Sequence, residues 1–261
     1  MKKLVVILLI LVMTLSASSF LFGCNPPEAP TDEPVINENT DVLVFDGKKS
    51  DYKIVIPANA DEYENLAKDE LVTFFEQGTG VKLEVITDEG LTHNADNKYF
   101  SLGRTSLLSS ANITISETEL GRDGYKLVSK DNTLYICGGG GYGTVYGVYK
   151  YLETALGWLP LAPDEIIVNT VPRLYLPDCD FKDVPDLEHR TGGHYVTAQN
   201  ERLFAMRSRT YAGHGYGMFH SDIWGIWAHT HFSLMPVGTY ATLHPEWYSA
   251  DKTQLCLLDQ P

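Results

Sequence analysis

The sequence predicts a layered α/β domain over residues 42–180. Two observations predict it: short apolar or alternating runs of strand length recur along this stretch, and two amphipathic helical segments are interleaved with them. The strand-like runs are residues 42–45, 52–56, 81–86, 99–102, 124–128 and 133–137. The first helical segment, 60–77, places Tyr63, Leu66, Ala67, Leu71, Phe74 and Phe75 on one face. Asn59 with Glu62 three residues on resembles a capping box, and Gly78 and Gly80 mark the stop. The second, 143–156, gathers Val145, Val148, Tyr149, Leu152, Ala155 and Leu156, with Gly157 just beyond. Short runs at 166–168 and 173–176 follow. Pro172, Pro177 and Pro185 then punctuate a connector.

Ahead of this domain the chain opens Met1-Lys2-Lys3, continues through a mostly apolar run to Phe22, and reaches Leu21-Phe22-Gly23-Cys24. A cationic start, an apolar core and a small residue before the cut make an export signal over residues 1–23. The cysteine after the glycine resembles the lipobox of bacterial lipoproteins. That resemblance implies diacylglycerol on the Cys24 thiol, cleavage between Gly23 and Cys24, and acylation of the new amine. The alternative is an uncleaved membrane span. Against it, Thr14, Ser16, Ser18 and Ser19 sit near the end of the run, and no Lys or Arg follows in residues 25–41. Residues 24–41 carry four prolines and five acids, too polar to bury apolar area, and are expected to be an extended, solvated tether. The expected location is the cell envelope, outside the cytoplasm, with membrane contact through the lipid anchor only.

A formal net charge of -14 argues against nucleic acid or an anionic membrane face as partner. The 15 tyrosines and 4 tryptophans suit either stacking on sugar rings or core packing. Beyond Cys24, Cys137, Cys179 and Cys256 are widely spaced and odd in number, so no disulfide framework and no CxxC metal pair is legible. Cys137 ends an apolar run and reads as a small buried hydrophobe.

The stretch Leu134-Tyr-Ile-Cys-Gly-Gly-Gly-Gly-Tyr-Gly-Thr-Val-Tyr-Gly147 is strand, glycine turn, helix. A helix start of that kind can hold phosphate. The dinucleotide fingerprint fits poorly and no Gly-Lys-Ser/Thr follows, so a tight strand-to-helix turn is expected. Together with Leu156-Gly-Trp158, Ala162-Pro-Asp-Glu165, Phe100-Ser-Leu-Gly-Arg104 and the upstream helix, this stretch resembles a known accessory domain. That domain precedes the barrel in family 67 α-glucuronidases; it is also similar to the matching domain of family 20 hexosaminidases. The nearest resemblance is to bacterial lipoproteins of the DUF4838 family. It covers residues 42–180.

From residue 186 to 261 glycine, histidine and aromatic residues crowd together, with one plausible helix at 197–208. Arg190, Trp227-Ala-His229-Thr, Leu234-Met-Pro236, His244-Pro-Glu246-Trp-Tyr248 and Gln254-Leu-Cys-Leu257 resemble the start of the DUF4838 domain itself. The resemblance implies an incomplete (β/α) barrel related to glycoside hydrolases, of which this chain holds about two or three of eight strands. Two departures from that family stand out: the segment between His244-Pro-Glu246 and Gln254 is short, lacking the usual Gly-Lys-Arg, and the expected barrel stops after those two or three strands.

Hydrolysis of a glycosidic bond needs two carboxyl groups flanking it. Glu246 is the only acid inside a recognisable motif, and no catalytic residue is assigned. The candidate carbohydrate-binding residues are Arg190, which suits a uronate carboxylate or a structural ion pair, with Trp227, His229, His244 and Glu246. His229, His231 and His244 with Glu246 also form a weak metal-ligand pattern; no cofactor is assigned. The expected function is the N-terminal part of a tethered carbohydrate-active lipoprotein acting in polysaccharide breakdown, inactive by itself. The alternatives are a non-catalytic glycan-binding lipoprotein and a histidine-based metal-binding one.

Overall fold

The computed structural model describes residues 42–187, 190, 202–210, 231–251 and 255. The short β1 (Leu43–Phe45) leads into a mixed α/β body built on a central six-stranded sheet. Its strands are β2 (Lys53–Ile56), β3 (Glu84–Thr87), β4 (Tyr99–Leu102), β5 (Tyr125–Lys130), β6 (Thr133–Gly138) and a late edge strand at Asp180–Asp183. Helix α1 (Glu62–Thr79) links β2 to β3, and two short helices, α2 (Leu107–Ser110) and α3 (Glu117–Leu120), lie between β4 and β5. Helix α4 (Gly143–Leu156) follows β6. Next come the hairpin β7 (Leu159–Ala162) and β8 (Glu165–Ile167), then β9 (Leu174–Tyr175), which pairs with β1, and the edge strand, β10. The sheet order is β10-β5-β6-β4-β2-β3; β3, β2, β4 and β6 are parallel, and β5 and β10 run antiparallel to their neighbours.

The period-2 alternation of side chains divides two cores across this sheet. Ile54, Ile56, Phe100, Leu102, Leu134 and Ile136 point to the face covered by α1 and α4. Val55, Tyr135 and Cys137 point to the other, under Leu107, Leu108 and Ala111. Strands buried on both faces read as continuous apolar runs, which is why residues 52–56 and 133–137 stood out in the sequence. The α1 and α4 faces turned to the first core are the ones their spacing predicts. Trp158, just past α4, is 1% exposed, stacked on Tyr149 at 4.7 Å and met edge-on by Phe74 at 5.6 Å.

One expected cap is corrected. The capping box of α1 is Asp61 with Glu64, not Asn59 with Glu62: the Asp61 carboxylate accepts from the N–H groups of Tyr63 and Glu64, and Glu64 accepts from Asp61 N–H at 3.0 Å. The stop is at Gly80, whose φ of +74° is left-handed. β3 begins at Glu84, three residues later than expected, because its parallel register sets Glu84 against Lys53. On the second face the β3–β4 loop is tied down by His93, whose ring accepts from or donates to Tyr135 Oη (2.8 Å) and contacts Asp131 Oδ2 (3.0 Å).

Within the last third, the expected helix at 197–208 is represented by α5 (Arg202–Arg207), with its upstream part outside the described residues. α6 (His231–Leu234), α7 (Val237–Tyr240) and a 3-10 turn at Pro245–Trp247 follow. The expected barrel strands of residues 186–261 fall largely outside the described residues. Among the described residues no helix is long and apolar enough to cross a membrane.

Candidate functional site

The glycine loop between β6 and α4 is built for close backbone packing. A Cβ on Gly139 would lie 2.1 Å from the carbonyl oxygen of Gly121, and one on Gly143 would lie 2.3 Å from that of Gly124. The 120–124 turn therefore closes onto the loop, with Gly139 N–H donating to Gly124 O at 3.0 Å. Arg104 donates from above to the carbonyls of Gly138 (3.5 Å) and Gly139 (3.3 Å), and Gly138 N–H donates to Thr144 Oγ1.

The carboxyl ends of parallel strands are where open α/β sheets bind anionic ligands. Here the chain's own carboxylates take those N–H groups. Asp88 accepts from Ala58 (3.0 Å) and Ser106 (2.6 Å) beyond β2 and β4, and Glu64 accepts from Arg104 N–H at 3.0 Å. The close approach of the 120–124 turn to Gly139 and Gly143 makes this loop the tight strand-to-helix turn that its glycines predict.

A second constellation lies where the connector meets the domain. Arg190 donates from Nη2 to Asp123 Oδ2 (2.8 Å), from Nη1 to Leu187 O (2.6 Å) and from Nε to Arg209 O (3.0 Å). Arg207 grips Glu70 through both Nε and Nη2, each at 2.8 Å, while Tyr149 Oη donates to the same carboxylate at 3.0 Å. Arg209 Nη1 reaches Glu153 Oε1 at 2.6 Å. Beside them an apolar hollow of about 310 Å³ is lined by Tyr63, Leu66, Tyr142, Leu203 and Met206, with Glu62 at its rim.

Asp123 is buried, and its Oδ1 has no hydrogen-bond partner among the described residues. Burial pushes its carboxyl above the ordinary value of 3.8, with Arg190 opposing the shift. A carboxyl raised in this way gives stability that is complete below 3.8 and lost as pH rises through its folded pKa. Subtracting the stability of D123N, which cannot ionise, from that of the wild type should therefore give a difference that falls as pH rises from 3.8 to neutrality. Urea unfolding across that range reads it; a difference that climbs with pH would mean that the Arg190 pairing outweighs desolvation.

Of the residues singled out from sequence, His244 and Glu246 are brought together. His244 Nδ1 lies 3.1 Å from Glu246 Oε1, and the imidazole stacks on Trp247 at 3.7 Å with the rings 5° from parallel. The 3-10 turn at Pro245–Trp247 creates both contacts by folding residues 244–247 back on themselves. The Glu246 backbone N–H and then His244 hold its carboxyl below the usual range. Arg190 instead makes the bonds given above. Trp227, His229 and Cys24 lie outside the described residues, as does the side chain of His231. Among the described residues no group of three or more His, Cys, Asp or Glu is placed to hold a metal ion. Sequence reasoning gave no role to Glu70, which it noted only within the resemblance, and passed over Arg207 and Arg209. Their signal was a carboxylate in the middle of an apolar helix face, since Glu70 lies between Ala67 and Phe74 on α1.

Residues 45–151 match the family model described as glycosyl hydrolase family 67 N-terminus. Among solved structures, the chain is similar to a family GH115 4-O-methyl-α-glucuronidase with specificity for decorated arabinogalactans. The identity is 20% and the TM-score 0.39, covering 55% of this chain and 19% of that one. It is also similar to the GH20 β-N-acetylhexosaminidase from Streptomyces coelicolor A3(2), at 16% identity and TM-score 0.38, covering 63% of this chain and 26% of that one. The Flavobacterium johnsoniae chitobiase matches at 16% identity and TM-score 0.35, covering 62% and 21%. The chain thus spans between 19% and 26% of the length of these three structures. No curated protein matches the chain.

Proposed function

We propose that this chain is the N-terminal part of a carbohydrate-active lipoprotein of the cell envelope, related to glycoside hydrolases and acting in polysaccharide breakdown. The observation that carries the proposal is the match of residues 45–151 to a glycosyl hydrolase family 67 N-terminus. Support comes from the layered α/β body that those residues help to build. In this role the domain is an accessory platform. Cys24 tethers it, and residues 186–261 begin a DUF4838-like barrel that recognises sugar through Trp227, His229, His244 and Glu246, while Arg190 serves the structural ion pair with Asp123.

A second reading, non-catalytic glycan binding, is favoured by one feature of the site. The Glu246 carboxylate offers an acceptor beside the stacked rings of His244 and Trp247, a combination suited to sugar hydroxyls and a pyranose face.

Both readings meet the same experiment. Affinity electrophoresis in glucuronoxylan and a reducing-end assay are run on the 261-residue chain and on the full product of its reading frame. The chain is expected to be retarded without turnover, and the full product to release uronic acid. Turnover by the chain alone would overturn its inactivity; retardation without release by the full product would favour the binder. Neither retardation nor release across a panel of xylans, pectins and chitins would sink the carbohydrate assignment.

A further inference from the structure

We infer that Glu70, Glu153 and Asp123 form a docking surface for the segment that follows the α/β domain, one that reads its guanidinium groups and holds it in a single register. The inference deepens the accessory-platform reading, on which it rests, by naming what the platform grips. Three separate parts of the domain supply the acids: α1, α4 and the turn ahead of β5. Their partners, Arg207, Arg209 and Arg190, all fall within residues 190–209, although 137, 56 and 67 positions separate the members of each pair.

The chemistry selects arginine. Glu70 receives two parallel N–H bonds from one planar fork, a geometry that lysine cannot supply. Both side chains are nearly sequestered, Arg207 at 11% exposure and Glu70 at 6%. Arg207 Cζ also stands 5.2 Å from the Phe74 ring. Tyr149 Oη fills a further acceptor site on Glu70, so both oxygens of the buried carboxylate are engaged. An apolar residue at position 70 would pack on the α1 face with less desolvation, so the charge contributes specificity more than stability.

Arg207 is delivered by α5 (Arg202–Arg207), which packs against the domain. It is anchored by Ala205 and Met206, both buried, with Met206 joining the main core. Its end is closed by Thr210, whose N–H and Oγ1 both donate to Ala205 O. Arg209, at φ +52°, adopts the left-handed turn that brings its guanidinium back to Glu153. The α/β unit therefore includes residues 202–210, and the chain leaves it from a fixed point.

Native-state hydrogen exchange on the full 261-residue chain tests this. In E70Q the amides of 203–209 are expected to exchange on the order of 100-fold faster, as breaking a buried ion pair implies, with β5 and β6 amides unchanged. E153Q removes a half-exposed pair, so it keeps the fold intact; it should give a smaller rise in the same amides. Unchanged protection at 203–209 in both variants would overturn the proposal, and so would equal loss in β5 and β6, which would make the acids general core elements. The readout involves no sugar, so a failed carbohydrate assignment would leave it standing.

Discussion

Gly143→Ala is expected to destabilise the α/β domain by about 3 kcal/mol or more, whereas Gly140→Ala, three residues earlier, should stay within about 0.5 kcal/mol of wild type. The difference follows from what a methyl group would meet. At 143 it would lie 2.3 Å from Gly124 O and 2.8 Å from Gly138 Cα, both backbone atoms of packed segments that cannot swing away. At 140 nothing lies within 4 Å, and that residue is not among those with left-handed φ. Alanine's better helix propensity, worth about 1 kcal/mol in a helix interior, does not offset a clash of this size. Urea unfolding of the two variants side by side measures the contrast. Similar effects at both positions would show that the glycines serve backbone freedom in general and not the approach of the 120–124 turn.

That loop also shows which parts of the fold were legible in the sequence. Where one strong local signal marked each end, the expected element was found: α4 runs from Gly143 to Leu156 because its apolar spacing and Gly157 agree. Where two signals overlapped, neighbours decided. Asn59 and Asp61 each have a glutamate three residues on; Asp61 caps because Glu64 is also required by Arg104 N–H, while Ala58, just ahead, is held by Asp88. β10 was invisible because Asp180–Asp183 has one apolar residue, Phe181, and becomes a strand through its antiparallel partner β5. The arginine contacts were hidden for a different reason. An ion pair joining Glu70 to Arg207 leaves no pattern in either local window, and only a charge within an apolar helix face hints at it. Arg190 was noticed as a guanidinium in need of a carboxylate, and Asp123 supplies one in the structure. His244 and Glu246 were legible as a pair because only Pro245 separates them, and a single tight turn suffices to join them.

Replacing Cys24 with serine is expected to abolish incorporation of labelled palmitate and to leave a precursor longer by residues 1–23. The thiol is the group that takes diacylglycerol in the lipobox that this segment resembles, and the cut and the second acylation come after that step. Each buried CH₂ adds roughly 0.8 kcal/mol, so one chain gives marginal and reversible membrane binding while two or more hold the protein fast. Wild type should therefore carry label, begin at Cys24 and resist extraction by salt, since the tether of residues 25–41 has no Lys or Arg to offer anionic lipid. An uncleaved membrane span makes the opposite forecast: wild type and variant would be the same length, and neither would be labelled. Mass spectrometry of the N-terminus separates the two outcomes. Its result also sets the reach of the platform, because an extended tether at about 3.1–3.6 Å per residue lets the α/β domain stand several tens of ångströms from the bilayer. At that distance its substrate would be a polymer in the surrounding medium or wall and not the lipid surface that holds it.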